Sequence, residues 1–172
     1  MLITGAAGGV GTLAVQLATR SGARVTGIVS SRDRGEIVAS LGAREIVEGI
    51  DGAQGNFALI LESVGGASLA VAIKKLAPRG VVVIFGNSSG EPTQVSFRDF
   101  STANNARMQA FHSFASGPEE EFASDLALLA SLVADGSLKP QIGVERGWRD
   151  LVKTLDELRD RRIAGKVVFR IE

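Results

Sequence analysis

The stretch LITGAAGGVGTLAVQLATRSGARV, residues 2–25, decides the fold of this chain. A short apolar segment, Leu2–Thr4, leads into a glycine-rich loop at residues 5–11, and a segment with helical character follows and ends near Gly22. Where side chains are this small, the N–H groups of the loop and the N-terminus of the next helix can face an anion. The stretch therefore predicts a strand, a phosphate-binding turn and a helix, with a plain tight turn as the alternative.

Two glycine patterns fit the loop, and they imply different chemistry. Residues 6–11 read Ala-x-Gly-x-x-Gly, which departs at one position from the Gly-x-Gly-x-x-Gly pattern of dinucleotide-binding folds. Residues 4–11 also read Thr-Gly-x-x-x-Gly-x-Gly, the spacing of short-chain dehydrogenases, which use a Tyr-x-x-x-Lys pair. The sequence contains no tyrosine, so the second interpretation is excluded.

Strand-like and helix-like segments alternate along the rest of the chain. The further predicted strands are Arg24–Val29, Ala43–Val47, Phe57–Leu61, Val81–Phe85, Met108–Phe114, an extended piece at 141–145, and Lys166–Ile171. The further predicted helices cover residues 33–41, 67–77, 118–135 and 148–161, and Pro78 is expected to follow the end of the second of these. Strands separated by helices of this length predict an α/β fold with a parallel sheet and right-handed crossovers.

Composition narrows the class of protein. The 172 residues are enough for one domain, and 19 basic residues balance 19 acidic ones, which argues against a polybasic surface for nucleic acid. The absence of cysteine excludes disulfides, thiolate zinc sites and cysteine nucleophiles, and the single histidine, His112, cannot by itself build a histidine metal site. No apolar run reaches about 18 residues, and the first residues lack a signal-peptide pattern. We therefore expect a cytoplasmic protein without a membrane or nucleic-acid partner.

The residues after the second predicted strand bear on the choice of cofactor. A site for NAD usually places an acidic residue there, on the ribose hydroxyls. Here Ser30, Ser31 and Arg34 offer hydroxyls and a guanidinium group, which suit the 2′-phosphate of NADP. NADP is therefore favoured, although Asp33 could still support NAD.

Five motifs occur in a characteristic order: the stretch quoted above, LESVGG (61–66), VVIFGNSSG (82–90), LKPQIG (138–143) and IAGKVVF (163–169). Together they resemble the nucleotide-binding domain of medium-chain dehydrogenases/reductases, in particular the zinc-independent NADPH:quinone oxidoreductase branch. The resemblance covers essentially the whole chain. It implies a Rossmann fold, a doubly wound parallel sheet of order 3-2-1-4-5-6 with helices on both faces.

The resemblance also assigns cofactor-binding residues. The pyrophosphate would lie on the loop, the 2′-phosphate near the end of the second strand, and the nicotinamide side near the fourth and fifth strands and the returning chain ends. The implied residues are Ala7, Gly8, Gly9, Val10, Gly11, Ser30, Ser31, Arg34, Val64, Gly65, Phe85, Gly86, Asn87, Ser88, His112 and Lys166. Gly49 departs from the family, whose members often carry an aromatic residue or histidine there against the adenine.

The implied activity is hydride transfer from NADPH to a quinone or an activated enone, with no catalytic residue and no metal ligand in this part of the protein. Residues 1–137 would be the Rossmann domain, and residues 138–172 would return towards a GroES-like catalytic domain that this chain lacks. Because only two apolar residues precede the loop, we expect a piece of a longer protein that is inactive alone. A homodimer is expected through the edge strand near Met108–Phe114. A fragment of a zinc-dependent alcohol dehydrogenase or enoyl reductase, and a non-catalytic nucleotide-binding module, remain alternatives.

Overall fold

A six-stranded parallel sheet forms the centre of the chain. The computed structural model describes residues 1–112, 119–160 and 162–171. The strands are β1 (Leu2–Ile3), β2 (Thr26–Val29), β3 (Glu45–Glu48), β4 (Phe57–Glu62), β5 (Leu76–Ile84) and β6 (Arg107–Ala110). Their order is β3-β2-β1-β4-β5-β6, and all neighbours pair in parallel, which confirms the predicted Rossmann topology.

Helices α1 (Gly9–Arg20), α2 (Gly35–Ser40) and α3 (Gly66–Lys74) connect β1 to β2, β2 to β3 and β4 to β5, whereas short 3-10 turns lie in the other two connections. Helix α4 (Glu119–Ala134) follows β6, and α5 (Leu151–Arg159) lies in the last part of the chain. The direction of winding reverses between β1 and β4. In such sheets, ligands bind in the crevice at the carboxyl ends of the strands at this switch point.

The core lies on both faces of the sheet. Successive residues of a strand point to opposite faces, and the two residues of β1 illustrate this division. Leu2 packs in one cluster with Ile60 and Ile73, whereas Ile3 packs in the other with Val15 and Val38. Both residues of β1 are fully buried, so that even this short strand lies at the centre of the fold.

The predicted boundary at Pro78 is wrong. Helix α3 ends at Lys74, and Pro78 lies inside β5, where the register with β4 shifts between Phe57 and Leu59. Arg79 adopts a φ of 63° at this irregularity. A bulge tolerates proline because the ladder is already interrupted there.

The predicted strand Met108–Phe114 is also shorter than expected. Strand β6 ends at Ala110, and residues 113 and 114, like Pro118, lie outside the described residues.

The last part of the chain forms a separate small unit. Strands β7 (Ile142–Gly147) and β8 (Lys166–Arg170) pair in parallel, and α5 connects them. Arg146 forms an ion pair of 2.7 Å with Glu157, and Trp148 meets Phe169 edge to face. The predicted division at residues 137 and 138 falls in the connection between α4 and β7, and it stays a prediction.

Candidate dinucleotide-binding site

The glycine loop forms a tight turn between β1 and α1. Gly5 has a φ of +59°, and the N–H of Gly8 donates to the carbonyl of Gly5 at 2.8 Å. A Cβ on Gly11 would lie 2.8 Å from Ala6 Cα and would also meet the Gly5 carbonyl oxygen. The first turn of α1 therefore packs directly on the loop backbone, and only glycine fits at this contact.

The side chain of Lys166, the first residue of β8, lies against the glycine loop at Gly9. A Cβ on Gly9 would lie 2.6 Å from Lys166 Nζ. The missing side chain at Gly9 thus leaves space for the Lys166 ammonium beside the N-terminus of α1. A cation and a helix N-terminus both favour an anion at this place.

The residues that follow β2 lie at one end of the cleft. Ser30 follows the last strand residue, and Ser31 precedes a 3-10 turn, Arg32–Arg34, in which the N–H of Arg34 donates to the Ser31 carbonyl at 3.2 Å. Ser30 and Arg34 both line the cleft, whereas Ser31 does not. Ser30 and Arg34 therefore border the same space.

A buried carboxylate holds the opposite wall. Glu62, the last residue of β4, is fully buried and accepts hydrogen bonds from Gly65 N (2.9 Å), Val64 N (3.1 Å) and the Ser68 hydroxyl (2.9 Å). The Thr4 hydroxyl, next to the glycine loop, donates to the same carboxylate at 3.3 Å. Glu62 consequently joins the end of β1 to the turn that leads into α3.

The loop after β5 lies against that turn. The N–H of Ser88 donates to the Ser63 carbonyl at 3.0 Å, and a Cβ on Gly86 would lie 3.0 Å from the same oxygen. A Cβ on Gly65 would meet the side chain of Asn87. A side chain at Gly86 would press on the Ser63 backbone, and one at Gly65 would displace the Asn87 side chain. Ser88, in the same loop, lines the cleft.

The loop, the β2 end and the β4 turn enclose one cleft of about 560 Å³. This volume lies in the usual range for sites that bind small molecules and cofactors. The lining residues are Gly5, Ala7, Gly8, Ile28, Val29, Ser30, Arg34, Gly49, Ile50, Asp51, Val64, Ala67, Ser68 and Ser88. The structure therefore brings together residues from both halves of the sheet at the switch point.

The cleft contains several residues predicted from the sequence, and the others lie around it. Those that line it are Ala7, Gly8, Ser30, Arg34, Val64 and Ser88. Gly9, Gly11 and Lys166 shape the glycine loop. The remaining predicted residues contact the turn after β4 or belong to it, and they are Phe85, Gly86, Asn87 and Gly65. Val10 is exposed, and His112 follows the edge strand and is not among the residues that line the cleft. The cofactor contact of each residue stays a prediction.

Gly49 has a structural reason to be glycine. Its φ of +70° and ψ of 143° define a conformation that side chains rarely adopt. No atom lies within 4 Å of a Cβ built there, so that the conformation of the backbone, rather than lack of space, requires glycine.

The polar contacts of Glu62 were not predicted from the sequence. The lining residues that were not predicted as cofactor contacts are Gly5, Ile28, Val29, Ile50, Asp51, Ala67 and Ser68. A signal for Glu62 was present in the sequence, since Glu62 and Ser63 are polar residues at the carboxyl end of an apolar strand, where ligand sites of such sheets lie. In the described parts of the chain, no three His, Cys, Asp or Glu side chains are grouped so that they could hold a metal ion. In the same parts, none of the helices has the length and apolar character needed to cross a membrane.

The sheet order and the glycine cleft at the switch point define a dinucleotide-binding α/β domain. Residues 9–131 match the model of the zinc-binding dehydrogenase family, and the chain belongs to this family. The predicted membership of the medium-chain dehydrogenases/reductases is confirmed.

Three relatives illustrate the similarity. Quinone oxidoreductase of Pseudomonas aeruginosa is 29% identical, over 98% of this chain and 55% of its own length. Prostaglandin reductase-3 of Bos taurus is 26% identical, over 99% of this chain and 52% of its own. The yhdH oxidoreductase of Salmonella enterica, solved in complex with NADP, is 25% identical, with a TM-score of 0.81 over 99% of this chain and 54% of that one. The chain thus spans about half the length of the relatives it matches. The prediction of an NADP-linked oxidoreductase domain agrees with the names of these relatives, two of which are oxidoreductases and one a reductase, and with the complex of one of them with NADP.

Proposed function

We propose that this chain is the NADPH-binding part of an oxidoreductase that transfers hydride from NADPH to a quinone or an activated enone. The observation that carries the proposal is the glycine loop, which opens at the N-terminus of α1 into a cleft shared with Ser30 and Arg34. Relatives named as a quinone oxidoreductase, a prostaglandin reductase and a complex with NADP support it.

The residues present fit the cofactor in chemical type. Gly8 lines the cleft without a side chain where a pyrophosphate would lie, Gly11 lets α1 pack closely on the loop, and Lys166 adds a positive charge beside Gly9. Ser30, Ser31 and Arg34 would hold the 2′-phosphate, because a guanidinium group can donate two charge-assisted hydrogen bonds to it.

The residues from the other half of the sheet would hold the nicotinamide side. The proposed contacts are Val64, Gly65, Phe85, Gly86, Asn87, Ser88 and His112. Once bound, NADPH would supply the hydride, and the role of this chain would be to orient the cofactor and exclude water. We assign no acid, base or metal ligand to this chain.

A fluorescence titration with NADPH and with NADH tests the proposal. We expect NADPH to bind more tightly, and Arg34→Ala to weaken NADPH binding by about 10-fold to 100-fold, because hydrogen bonds to charged groups contribute about 1.5–3 kcal/mol. Binding of NADH, which lacks the 2′-phosphate, is expected to stay within about twofold.

Arg32→Ala is the matched control, since Arg32 lies in the same 3-10 turn but does not line the cleft. If neither cofactor binds, the proposed function fails. If NADPH binds and Arg34→Ala leaves the preference intact, the assignment of the 2′-phosphate fails.

We further propose that the full protein forms a homodimer through the edge strand near Met108–Phe114. All four residues of β6 are exposed, and Met108 and Phe111 are 52% and 47% exposed. An exposed edge strand presents unpaired N–H and C=O groups with which another chain can pair. Sedimentation velocity should show a dimer that Met108→Lys converts to a monomer. Val152→Lys, an equally radical change on α5, should leave the dimer intact. A dimer that survives Met108→Lys contradicts the proposal.

The cytoplasmic location stays a prediction.

A further inference from the structure

The side chain of Gln16, on α1, forms a two-way hydrogen-bonded pair with the backbone of a residue 123 positions further along the chain. Gln16 Nε2 donates to the Lys139 carbonyl at 3.0 Å, and Gln16 Oε1 accepts from the Lys139 N–H at 2.8 Å. Nε2 also donates to the Thr12 carbonyl on its own helix at 3.0 Å, which fixes the orientation of the amide. Both polar groups of the Lys139 backbone are thus held against the helix that follows the glycine loop.

The backbone from Lys139 leads directly to Lys166. The Gln141 side chain donates to the Lys139 carbonyl at 2.8 Å, and the Lys166 N–H donates to the Gln141 carbonyl at 2.7 Å. A Cβ on Gly165 would lie 2.5 Å from the Gln141 carbonyl oxygen and 3.0 Å from Gly143 N. The two backbone segments therefore meet without a gap, and the position of residues 139–141 sets the position of Lys166.

The Lys166 side chain extends from this junction over the glycine loop. Its Nζ lies 2.6 Å from the place where a Cβ on Gly9 would stand. A lysine side chain is flexible, so that its average charge position depends on where its backbone is anchored. The anchor, in turn, is tied to α1 through Gln16.

From these contacts we infer that Gln16 is a positioning residue, which holds Lys166 where its charge can act on the pyrophosphate of the cofactor. The inference rests on the proposed function, since Lys166 has this role only if a pyrophosphate lies on the loop. Gln16 itself does not contact the cofactor in this scheme. Its effect on NADPH binding must therefore pass through Lys166.

A double-mutant cycle tests this dependence. We measure the NADPH dissociation constant of the 172-residue chain for the wild type, Gln16→Met, Lys166→Ala and the double variant. Methionine keeps the length and helix propensity of glutamine but makes no amide hydrogen bonds. We expect Lys166→Ala to weaken binding about tenfold and Gln16→Met about threefold to tenfold, because each removes most of one charge interaction. In the Lys166→Ala background, Gln16→Met should change binding by less than about twofold.

Two further measurements separate positioning from loss of fold. Lys139→Ala keeps the backbone groups that Gln16 bonds, so that we expect it to bind NADPH like the wild type. The salt dependence of NADPH binding should fall in Gln16→Met as it does in Lys166→Ala, but by no more, since Gln16→Met displaces the Lys166 charge without removing it. Gln16→Ala serves as a second variant if the Met variant does not fold, as judged by circular dichroism.

The outcomes distinguish the two hypotheses. If Gln16→Met weakens NADPH binding by the same factor with and without Lys166, its effect does not pass through Lys166 and the inference is wrong. If Lys166→Ala weakens binding and Gln16→Met does not, the inference is equally wrong, while the proposed function stands. If the wild type does not bind NADPH, the proposed function fails, and the role assigned to Gln16 fails with it.

Discussion

Replacement of the buried carboxylate Glu62 by methionine should destabilise the domain by about 3 kcal/mol. Methionine fills a similar volume but accepts no strong hydrogen bond, so that the N–H groups of Val64 and Gly65 lose their acceptor. An unsatisfied buried donor costs about 1–3 kcal/mol. Gly65 N is buried and Val64 N only partly so, which places the two at about 3 and about 1 kcal/mol.

Two further effects change this cost of about 4 kcal/mol for the two N–H groups. The hydroxyls of Thr4 and Ser68 can rotate towards other acceptors, and the Leu61 carbonyl already lies 3.4 Å from Thr4 Oγ1. Their loss is therefore small. The added apolar burial of methionine offsets about 1 kcal/mol, which leaves the net loss of about 3 kcal/mol.

Glu62→Gln provides the comparison within the same site. Its amide oxygen can replace the carboxylate oxygen that accepts from Gly65 N and Val64 N. Its NH₂ group can then donate to the hydroxyl oxygens of Thr4 and Ser68. We expect a loss of about 1 kcal/mol, clearly below that of the methionine variant.

Urea-induced unfolding, followed by circular dichroism, measures these free energies. Glu45→Met is the external control, because Glu45 is exposed on β3 and accepts only a 3.1 Å bond from Thr26 in the contacts described. It should change the free energy of unfolding by less than about 0.5 kcal/mol. A Glu62→Met variant within 1 kcal/mol of the wild type, or one equal to Glu62→Gln, would refute the reasoning.

Two other perturbations are tested in the same way. Gly11→Ala should lower the free energy of unfolding by about 2 kcal/mol and weaken NADPH binding, because a Cβ at Gly11 would overlap the loop backbone. Gly147→Ala is the control and should leave the free energy of unfolding unchanged, because a Cβ there meets no atom within 4 Å. Equal losses of stability in the two variants would contradict this prediction. The N–H of Ser96, at 2.7 Å, and then its hydroxyl and Lys74, hold the pKa of Asp99 below its ordinary value. The stability that these interactions of Asp99 contribute is therefore fully present above the ordinary pKa of aspartate and is lost as the pH falls through the lowered pKa of Asp99. An NMR titration of the Asp99 carboxyl that shows an unshifted pKa would contradict this prediction.

The alternation of strands and helices and the glycine loop could be predicted from local patterns, whereas the sheet order was implied by the resemblance to medium-chain dehydrogenases/reductases, and the structure confirms it. The central strands β1, β2, β4 and β5 show as largely apolar runs, and a glycine loop after the first strand marks the switch point. The strand that contains Pro78 was misplaced, since the residues 76–80 carry turn signals and only pairing with β4 makes them a strand. The burial of Glu62 was not predicted, because its place at the end of an apolar strand indicates a nearby site but carries no local sign that the carboxylate itself is buried.

The sequence by itself determined the alternation of strands and helices, the glycine loop and the residue types at the ends of the strands, because these depend on neighbours within a few positions. Only the tertiary structure decided that Glu62 is buried between β1 and α3, that β7 and β8 form their own sheet, and that Gln16 meets Lys139 beside the segment that carries Lys166 over Gly9. These contacts join residues far apart in the chain. Their formation depends on how the folded elements pack, which no local pattern records.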